Sequence, residues 1–226
     1  MSAKPLPHEM SSAVEDYAKA IYALQERGDG CAVTTNALAE RLGVTPASAS
    51  AMVKKLAGMG LVSHVRYRGV QLTAKGSAIA LEVIRHHRLL EAYLSESLGV
   101  PWDRVHDEAE VLEHVLSEEL EELIADKLGN PTHDPHGDPI PTRDGLMPDE
   151  PTVSLQTLAT GDCGRFVRIS DADPEMLRYL AARGIAPGDG FEVIDKQPFD
   201  GPVFARFAGE VHVLGGTLAR AMRVEL

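Results

Sequence analysis

The sequence predicts a mainly α protein with a small β domain. A winged helix-turn-helix occupies residues 1–75, an α-helical domain 76–150 and a small β-barrel 151–226. Three observations carry this. Thr45-Pro46 separates two short amphipathic runs, and a strand-like stretch with a basic turn follows them. Residues 74–97 place apolar side chains on several faces of one long helix. Beyond residue 151 the helical period gives way to short runs separated by Asp189-Gly190, Asp200-Gly201 and Gly215-Gly216.

The first helix begins at Ser11-Ser12, with Glu15 three residues after Ser12, and runs through Ala18, Ile21, Tyr22 and Leu24 to Gly28. Asp16 falls in its first turn, where a carboxylate also complements the helix dipole. Thr34–Leu42 is a short helix closed by Gly43. Thr45 caps the next helix and Pro46 takes its first position. The opening turn, Ala47, Ser48, Ser50 and Ala51, is small enough to approach base edges. Lys54 and Lys55 follow where phosphates lie. Leu61–Thr73 reads as two strands around Arg68-Gly69, a wing whose Arg66 and Arg68 contact the backbone or minor groove. Thr45, Ala47, Ser48, Ser50, Ala51, Lys54, Lys55, Arg66 and Arg68 are thus the expected DNA-binding residues.

Charge separates the regions. Residues 1–75 carry 9 Lys/Arg and 6 Asp/Glu, residues 76–150 carry 5 and 18, and residues 151–226 carry 8 and 10. A basic end joined to an acidic middle suggests one part that meets an anion and another that meets cations. The two cysteines, Cys31 and Cys163, make no disulfide framework, which fits a reducing cytoplasm. The chain has no apolar run near the roughly 20 residues of a membrane span, so no membrane partner is expected.

The apolar faces of the 74–97 helix suggest a subunit interface. His87 and Glu91 stand at i and i+4 on it, able to share a cation or simply a hydrogen bond. After Pro101-Trp102-Asp103 comes a helix with His106, Glu110, Glu113 and His114 at i, i+4, i+7 and i+8, and Ala109, Leu112 and Leu116 on a neighbouring stripe that packs on a core. Two imidazoles and two carboxylates on one face are ligands for a divalent cation, or else a solvated acidic face. A proline-rich loop then carries His133, Asp134, His136 and Asp138. Glu110-x-x-Glu113-His114 lacks the first histidine of the inverted zinc peptidases, which argues against an enzyme.

The third region reads as strands at Val153–Leu155 and Gly164–Ile169, a helix over Asp173–Arg183, strands around 190–197, 202–208 and 210–215, and a last strand over Leu218–Leu226.

Taken in order, these residues resemble the diphtheria-toxin-repressor family of metal-dependent transcriptional regulators, in particular its manganese-sensing branch. The resemblance rests on Glu15-Asp16-Tyr17, the helix-turn-helix and wing, His87-Arg88-Leu89 with Glu91, Val105–Ala109 running on to Glu113-His114, Pro135-His136-Gly137 and Ile140-Pro141. It implies a homodimeric repressor of a palindromic double-stranded operator, with an SH3-like third domain similar to ferrous-transport protein A. It implies a primary metal site of Asp16, Glu110, Glu113 and His114. Iron-sensing relatives resemble one another in holding methionine and cysteine at the positions of Asp16 and Glu110. Carboxylates there suit Mn²⁺ over Fe²⁺, with Co²⁺ or Zn²⁺ as possible occupants in vitro. Lys19 departs from the second carboxylate of the two-domain manganese regulators, so a binuclear primary cluster is not expected. The resemblance leaves a second site open between Glu91 with Asp134 and His136, and His87 with His106, Glu91 serving either. Asp171 or Asp173 would reach a metal on the middle domain, with helix capping the competing role of Asp173.

Overall fold

A computed structural model describes residues 10–28, 30–65 and 68–226. They form two compact units, one of residues up to His86 with Pro141–Leu146, the other of His87–Ile140 with Met147–Leu226.

The first unit contains α1 (Ser12–Arg27), α2 (Thr35–Arg41), α3 (Pro46–Gly58), β1 (Val62–Val65), β2 (Gly69–Leu72) and the start of α4 (Ala74–Leu98). Val14, Tyr17, Ala18 and Ile21 recur at helical spacing on α1 and are buried. They meet Leu38 of α2, Ala49, Val53 and Leu56 of α3, and Leu61. Full burial of each such leucine contributes roughly 1.5–3 kcal/mol. The side chain of Thr34 accepts a hydrogen bond from the Ala37 amide, and that of Thr45 one from Ser48. β1 and β2 pair antiparallel from Val62 opposite Leu72 to Val65 opposite Gly69. Gly69 has φ +121°, and a Cβ there would lie 2.0 Å from the Val33 carbonyl oxygen. The wing therefore closes on the segment before α2 only with glycine at this position.

The second unit takes the rest of α4, α5 (Val105–Leu112), α6 (Glu118–Lys127), β3 (Val153–Ser154), β4 (Cys163–Arg168), α7 (Pro174–Ala181), β5 (Gly190–Lys196), β6 (Val203–Phe207), β7 (Glu210–Leu214), α8 (Gly216–Ala221) and β8 (Arg223–Glu225). Leu89, Leu90, Ala109, Leu116, Ile124 and Ile140 form one core. A second lies between the sheet and α7, around Phe166, Leu177, Leu180, Val193 and Ala205, with Trp102 packed against it.

Four expectations are corrected. The helix carrying His106 ends at Leu112, and Glu113 and His114 lie just beyond. The Glu113 amide still donates to the Ala109 carbonyl at 2.9 Å, so the helical frame reaches Glu113. Leu112 does not join the core stripe; it is 37% exposed, whereas Ala109 and Leu116 are buried. Leu218–Leu226 is not one strand: Leu218 and Ala219 are buried on the short α8, and only Arg223–Glu225 pairs with the sheet. Finally, the sheet is open rather than a closed barrel, with strand order β3-β8-β4-β5-β6-β7. β3 is two residues long and passes directly into a 3₁₀ turn at Leu155–Thr157, too short to pair with β7 and close the cylinder. At the opposite edge the Tyr179 hydroxyl donates to the Val213 carbonyl of β7 at 2.8 Å, partly blunting the open strand.

Candidate metal centre

α3 turns Ala49, Val53 and Leu56 inward. Thr45, Ala47, Ser48, Ser50, Ala51, Lys54 and Lys55 are all exposed, as is Arg68 at the tip of the wing. Arg66 lies outside the described residues. A helix with a small-residue start and two lysines one turn on, beside a basic hairpin, can enter a major groove and meet phosphates.

In the second unit the acidic and imidazole groups converge. Glu91 is 1% exposed on α4. Its Oε1 is 3.0 Å from His87 Nε2 and 3.5 Å from His106 Nδ1, and its Oε2 is 3.7 Å from His136 Nδ1. His106, at the start of α5, also places Nδ1 2.7 Å from Asp171 Oδ2. His87 uses both nitrogens: Nδ1 lies 2.5 Å from Glu113 Oε2 and 3.8 Å from Glu110 Oε1, while Nε2 faces Glu91 and stands 3.2 Å from His106 Nδ1. The His114 ring is 3.6 Å from Glu113 Oε1.

The loop after α6 is folded around Asp134. Its Oδ1 accepts the amides of His136 at 2.8 Å and Asp138 at 2.9 Å, an Asx turn that sets the His136 backbone. The His136 carbonyl accepts the Ile169 amide. Gly137 has φ +85°, and a Cβ there would lie 1.8 Å from the Val167 carbonyl oxygen, so the loop sits flush on the sheet domain. Arg88 reaches over from α4. It donates to the Pro139 carbonyl at 2.6 Å and stands 3.8 Å from Asp134 and 3.7 Å from Asp138.

These neighbourhoods move the proton affinities. Burial alone would raise the Glu91 carboxyl, but the His106, His136 and His87 imidazoles around it outweigh that and hold the group well below the usual carboxylate range. The Asp171 and Glu91 carboxylates raise His106 to about 10 against the cost of burial. Burial lowers His136, yet Glu91 and Asp134 dominate and bring it to about 9. Asp171 is likewise pushed up by burial but drawn down overall by His106. Burial, Asp138 and Glu91 push Asp134 up. Acids crowded in this way are the environment a divalent cation relieves.

The donors fit such a cation. His136 is fully buried, and its Nδ1 has no hydrogen-bond partner. Its Nε2 is 2.7 Å from the Trp102 carbonyl oxygen, to which it donates. That contact orients the ring and leaves Nδ1 pointing at Glu91 Oε2 and Asp134 Oδ1, at 3.7 and 3.9 Å. Fixing a histidine ligand through its other nitrogen is the usual support of a metal site. His87, Glu91, His106 and Asp171 form one group whose donor atoms lie within 4.8 Å of one another; Glu91, Asp134 and His136 form a second, and His87, Glu110 and Glu113 a third. Asp16 lies on α1, half-buried, in the first unit. Asp173 instead caps α7, its Oδ1 accepting the Glu175 amide at 3.0 Å. Arg88, Trp102 and Gly137 were not singled out for the site by their sequence context, although the lone tryptophan beside the His106 helix was a visible marker.

Three family models match the chain: the iron dependent repressor N-terminal DNA binding domain over residues 9–70, the iron dependent repressor metal binding and dimerisation domain over 73–142, and the FeoA domain over 153–226. The diphtheria toxin repressor of Corynebacterium efficiens is 33% identical over 227 residues, covering 96% of each chain. The iron-dependent repressor IdeR of Mycobacterium tuberculosis is 39% identical over 134 residues, and there the match spans only 57% of the relative's length. A solved manganese-dependent transcriptional repressor in complex with manganese superposes with a TM-score of 0.83 at 44% identity, covering 93% of this chain and 98% of that one. Relatedness over nearly the full length, with all three domain models in the same order, shows that the chain belongs to the diphtheria-toxin-repressor family of metal-dependent transcriptional regulators.

Proposed function

We propose that this chain is a repressor activated by Mn²⁺, with Fe²⁺ as the competing effector, that binds a palindromic operator as a homodimer and controls metal-ion homeostasis. The observation that carries the choice of metal is the donor set. The three groups of the second unit contain only imidazole and carboxylate, while Cys31 and Cys163 are both exposed and belong to none of them. Hard oxygen donors with a few imidazoles suit Mn²⁺; soft sulfur would favour later metals. The manganese-bound relative supports this choice, and the iron-dependent relatives keep Fe²⁺ as the second reading.

Asp16 joins Glu110, Glu113 and His114 as the activating site in this proposal. Without a cation these carboxylates repel, and bound metal supplies the positive charge that ties the DNA-binding helices to the dimerisation domain. A dimer then presents its two α3 helices at half-sites about 34 Å apart. Metal favours the DNA-competent arrangement, and DNA must raise metal affinity by the same factor. Val111, Val115, Leu120 and Leu123, exposed by 48–71%, offer apolar surface for the second copy to cover. The chain works by binding rather than catalysis. Among the described residues no helix is long and apolar enough to cross a membrane, and a cytoplasmic location is proposed.

The test is anoxic fluorescence anisotropy on a palindromic operator at fixed salt, titrating free Mn²⁺ and Fe²⁺ separately. Tightening by Mn²⁺ at lower free concentration than by Fe²⁺, lost in Asp16→Ala, is expected. Operator binding indifferent to either ion would overturn the reading.

A further inference from the structure

We infer that α3 reads its operator through the C5-methyl groups of thymine, seated on Ala47 and Ala51, and not through hydrogen bonds to guanine or adenine edges. The inference rests on the operator-binding reading above and adds what the recognition helix looks for. The helix belongs to the segment that the DNA-binding family model covers. A helix lying in the major groove meets base edges with its N-terminal residues. Between Thr45 and Lys54 the exposed residues of α3 are Pro46, Ala47, Ser48, Ser50 and Ala51. Bidentate recognition of guanine takes arginine or lysine, and that of adenine takes asparagine or glutamine. None of these stands on α3 ahead of Lys54.

The two serines do not replace them. The Ser48 hydroxyl is tied into the helix cap, 2.9 Å from Thr45 Oγ1, which also accepts the Ser48 amide at 3.2 Å. The Ser50 hydroxyl can donate or accept as it rotates, so it pairs with either kind of base edge and chooses neither. The apolar groups are placed to choose. Ala49, Val53 and Leu56 are buried and fix the inner side of the helix. At 3.6 residues per turn, Ala47 and Ala51 fall on the opposite side, one turn apart. Side chains at that spacing hold their Cβ atoms about 5–6 Å apart, within reach of methyls one or two base pairs apart at about 3.4 Å per step. Among the four bases only thymine carries a methyl in the major groove, and alanine packs on it without bringing a polar atom that needs a partner. Lys54 and Lys55 come a turn later and supply charge for phosphate, which attracts DNA without selecting a sequence.

The test uses the full-length protein in saturating Mn²⁺. A bound duplex is first selected from a random-sequence pool. Each thymine of one half-site is then replaced in turn by deoxyuridine, which loses the methyl and keeps the base pair and all its hydrogen-bonding groups. Affinity is read by fluorescence anisotropy at fixed salt. Two thymines within three consecutive base pairs should each cost about fourfold on replacement, the worth of one buried methyl. Replacing any guanine of that half-site by 7-deazaguanine should cost less than about twofold, because no α3 side chain is there to use N7. Ala47→Gly should abolish the deoxyuridine penalty at one of the two thymines and Ala51→Gly at the other; a general weakening of the helix would leave both ratios unchanged. A flat deoxyuridine scan, or a loss of about tenfold with 7-deazaguanine, overturns the inference with the unmodified chain, so the answer does not depend on a variant folding. Penalties that persist in both glycine variants overturn it as well. A chain that selects a duplex in Mn²⁺ but not in chelator, and then gives a flat scan, keeps the proposed function and loses the methyl reading; a chain that selects no duplex in either loses both.

Discussion

Replacing Arg88 by alanine should destabilise the metal-free protein far more than the manganese-loaded one. The Arg88 guanidinium donates to the Pro139 carbonyl and also faces Asp134 and Asp138, and its side chain is 20% exposed. Its removal deletes a charge-assisted hydrogen bond worth about 1.5–3 kcal/mol. It also takes away one of the two positive groups, Arg88 and His136, that face Asp134, whose side chain is 2% exposed. Together these give a loss of about 3 kcal/mol. In a chain of this size that lowers the melting midpoint by about 6–12 °C. The same change removes a positive charge, facing Asp134 Oδ2, that competes with metal for this carboxylate. A pair about 4 Å apart interacts by roughly 1–4 kcal/mol at partly screened dielectric, so manganese affinity on that side should rise about tenfold. Linkage returns this to stability, and with saturating Mn²⁺ the loss should shrink to about half. Differential scanning calorimetry of both proteins, in chelator and in Mn²⁺, reads each number. A drop of the same size with and without metal would show that Arg88 acts on the loop alone and not on its ligands; a drop under 2 °C would refute the electrostatic account altogether.

Other consequences are open to direct measurement. In the metal-free protein His136 titrates at about 9 and His106 at about 10. Both lie above the unfolded value, so their contribution to stability is full below about pH 6.5 and fades as pH climbs through 9–10. Metal must displace these protons. The apparent affinity on the His136 side should therefore rise about tenfold per pH unit between 6.5 and 8.5 and level off above 9, read by paramagnetic quenching of Trp102, the chain's lone tryptophan; a flat profile would mean that His136 binds no ion. Gly137→Ala should unseat the loop, because its Cβ meets the Val167 carbonyl. Quenching of Trp102 should be lost while the third group, around Glu113, still binds, and retention of full quenching would count against the close fit. Lys54→Ala should weaken operator binding evenly across sequences and lower the slope of log affinity against log salt by about 1; a sequence-selective loss would place Lys54 on a base instead.

Most of the DNA-binding module was legible because its signals are local. Thr34, Gly43, Thr45-Pro46 and Gly69 are punctuation that backbone geometry demands, and each stands where the spacing placed it. The candidate ligands were legible as residue types, but their grouping was not. Spacing could put His87 and Glu91 together on α4, yet nothing in the linear order says that Glu91 turns one oxygen to residue 106 and the other to residue 136. His136, 45 residues along the chain from Glu91, arrives through a loop held by Asp134, Arg88 and Gly137, which is a matter of tertiary packing. The ends of the sheet domain were misread for a related reason. Leu218–Leu226 alternates well enough for a strand, and only the burial of Leu218 and Ala219 together against Ser154 and Leu155 makes its first half a helix.

The enclosure of this cluster sets a timescale as well as an affinity. His136 and Glu91 are 0% and 1% exposed, and the loop above them is tied at both ends, by Ile140 to Thr132 and by Ile169 to His136. A cation bound beside His136, as proposed, would have this enclosure to pass on leaving, so its departure would follow loop opening as well as the strength of its bonds. Such a sensor does not report the metal level of the moment. It averages over the interval between openings, and a cell that meets brief swings in supply would find its transcription answering only to the sustained ones.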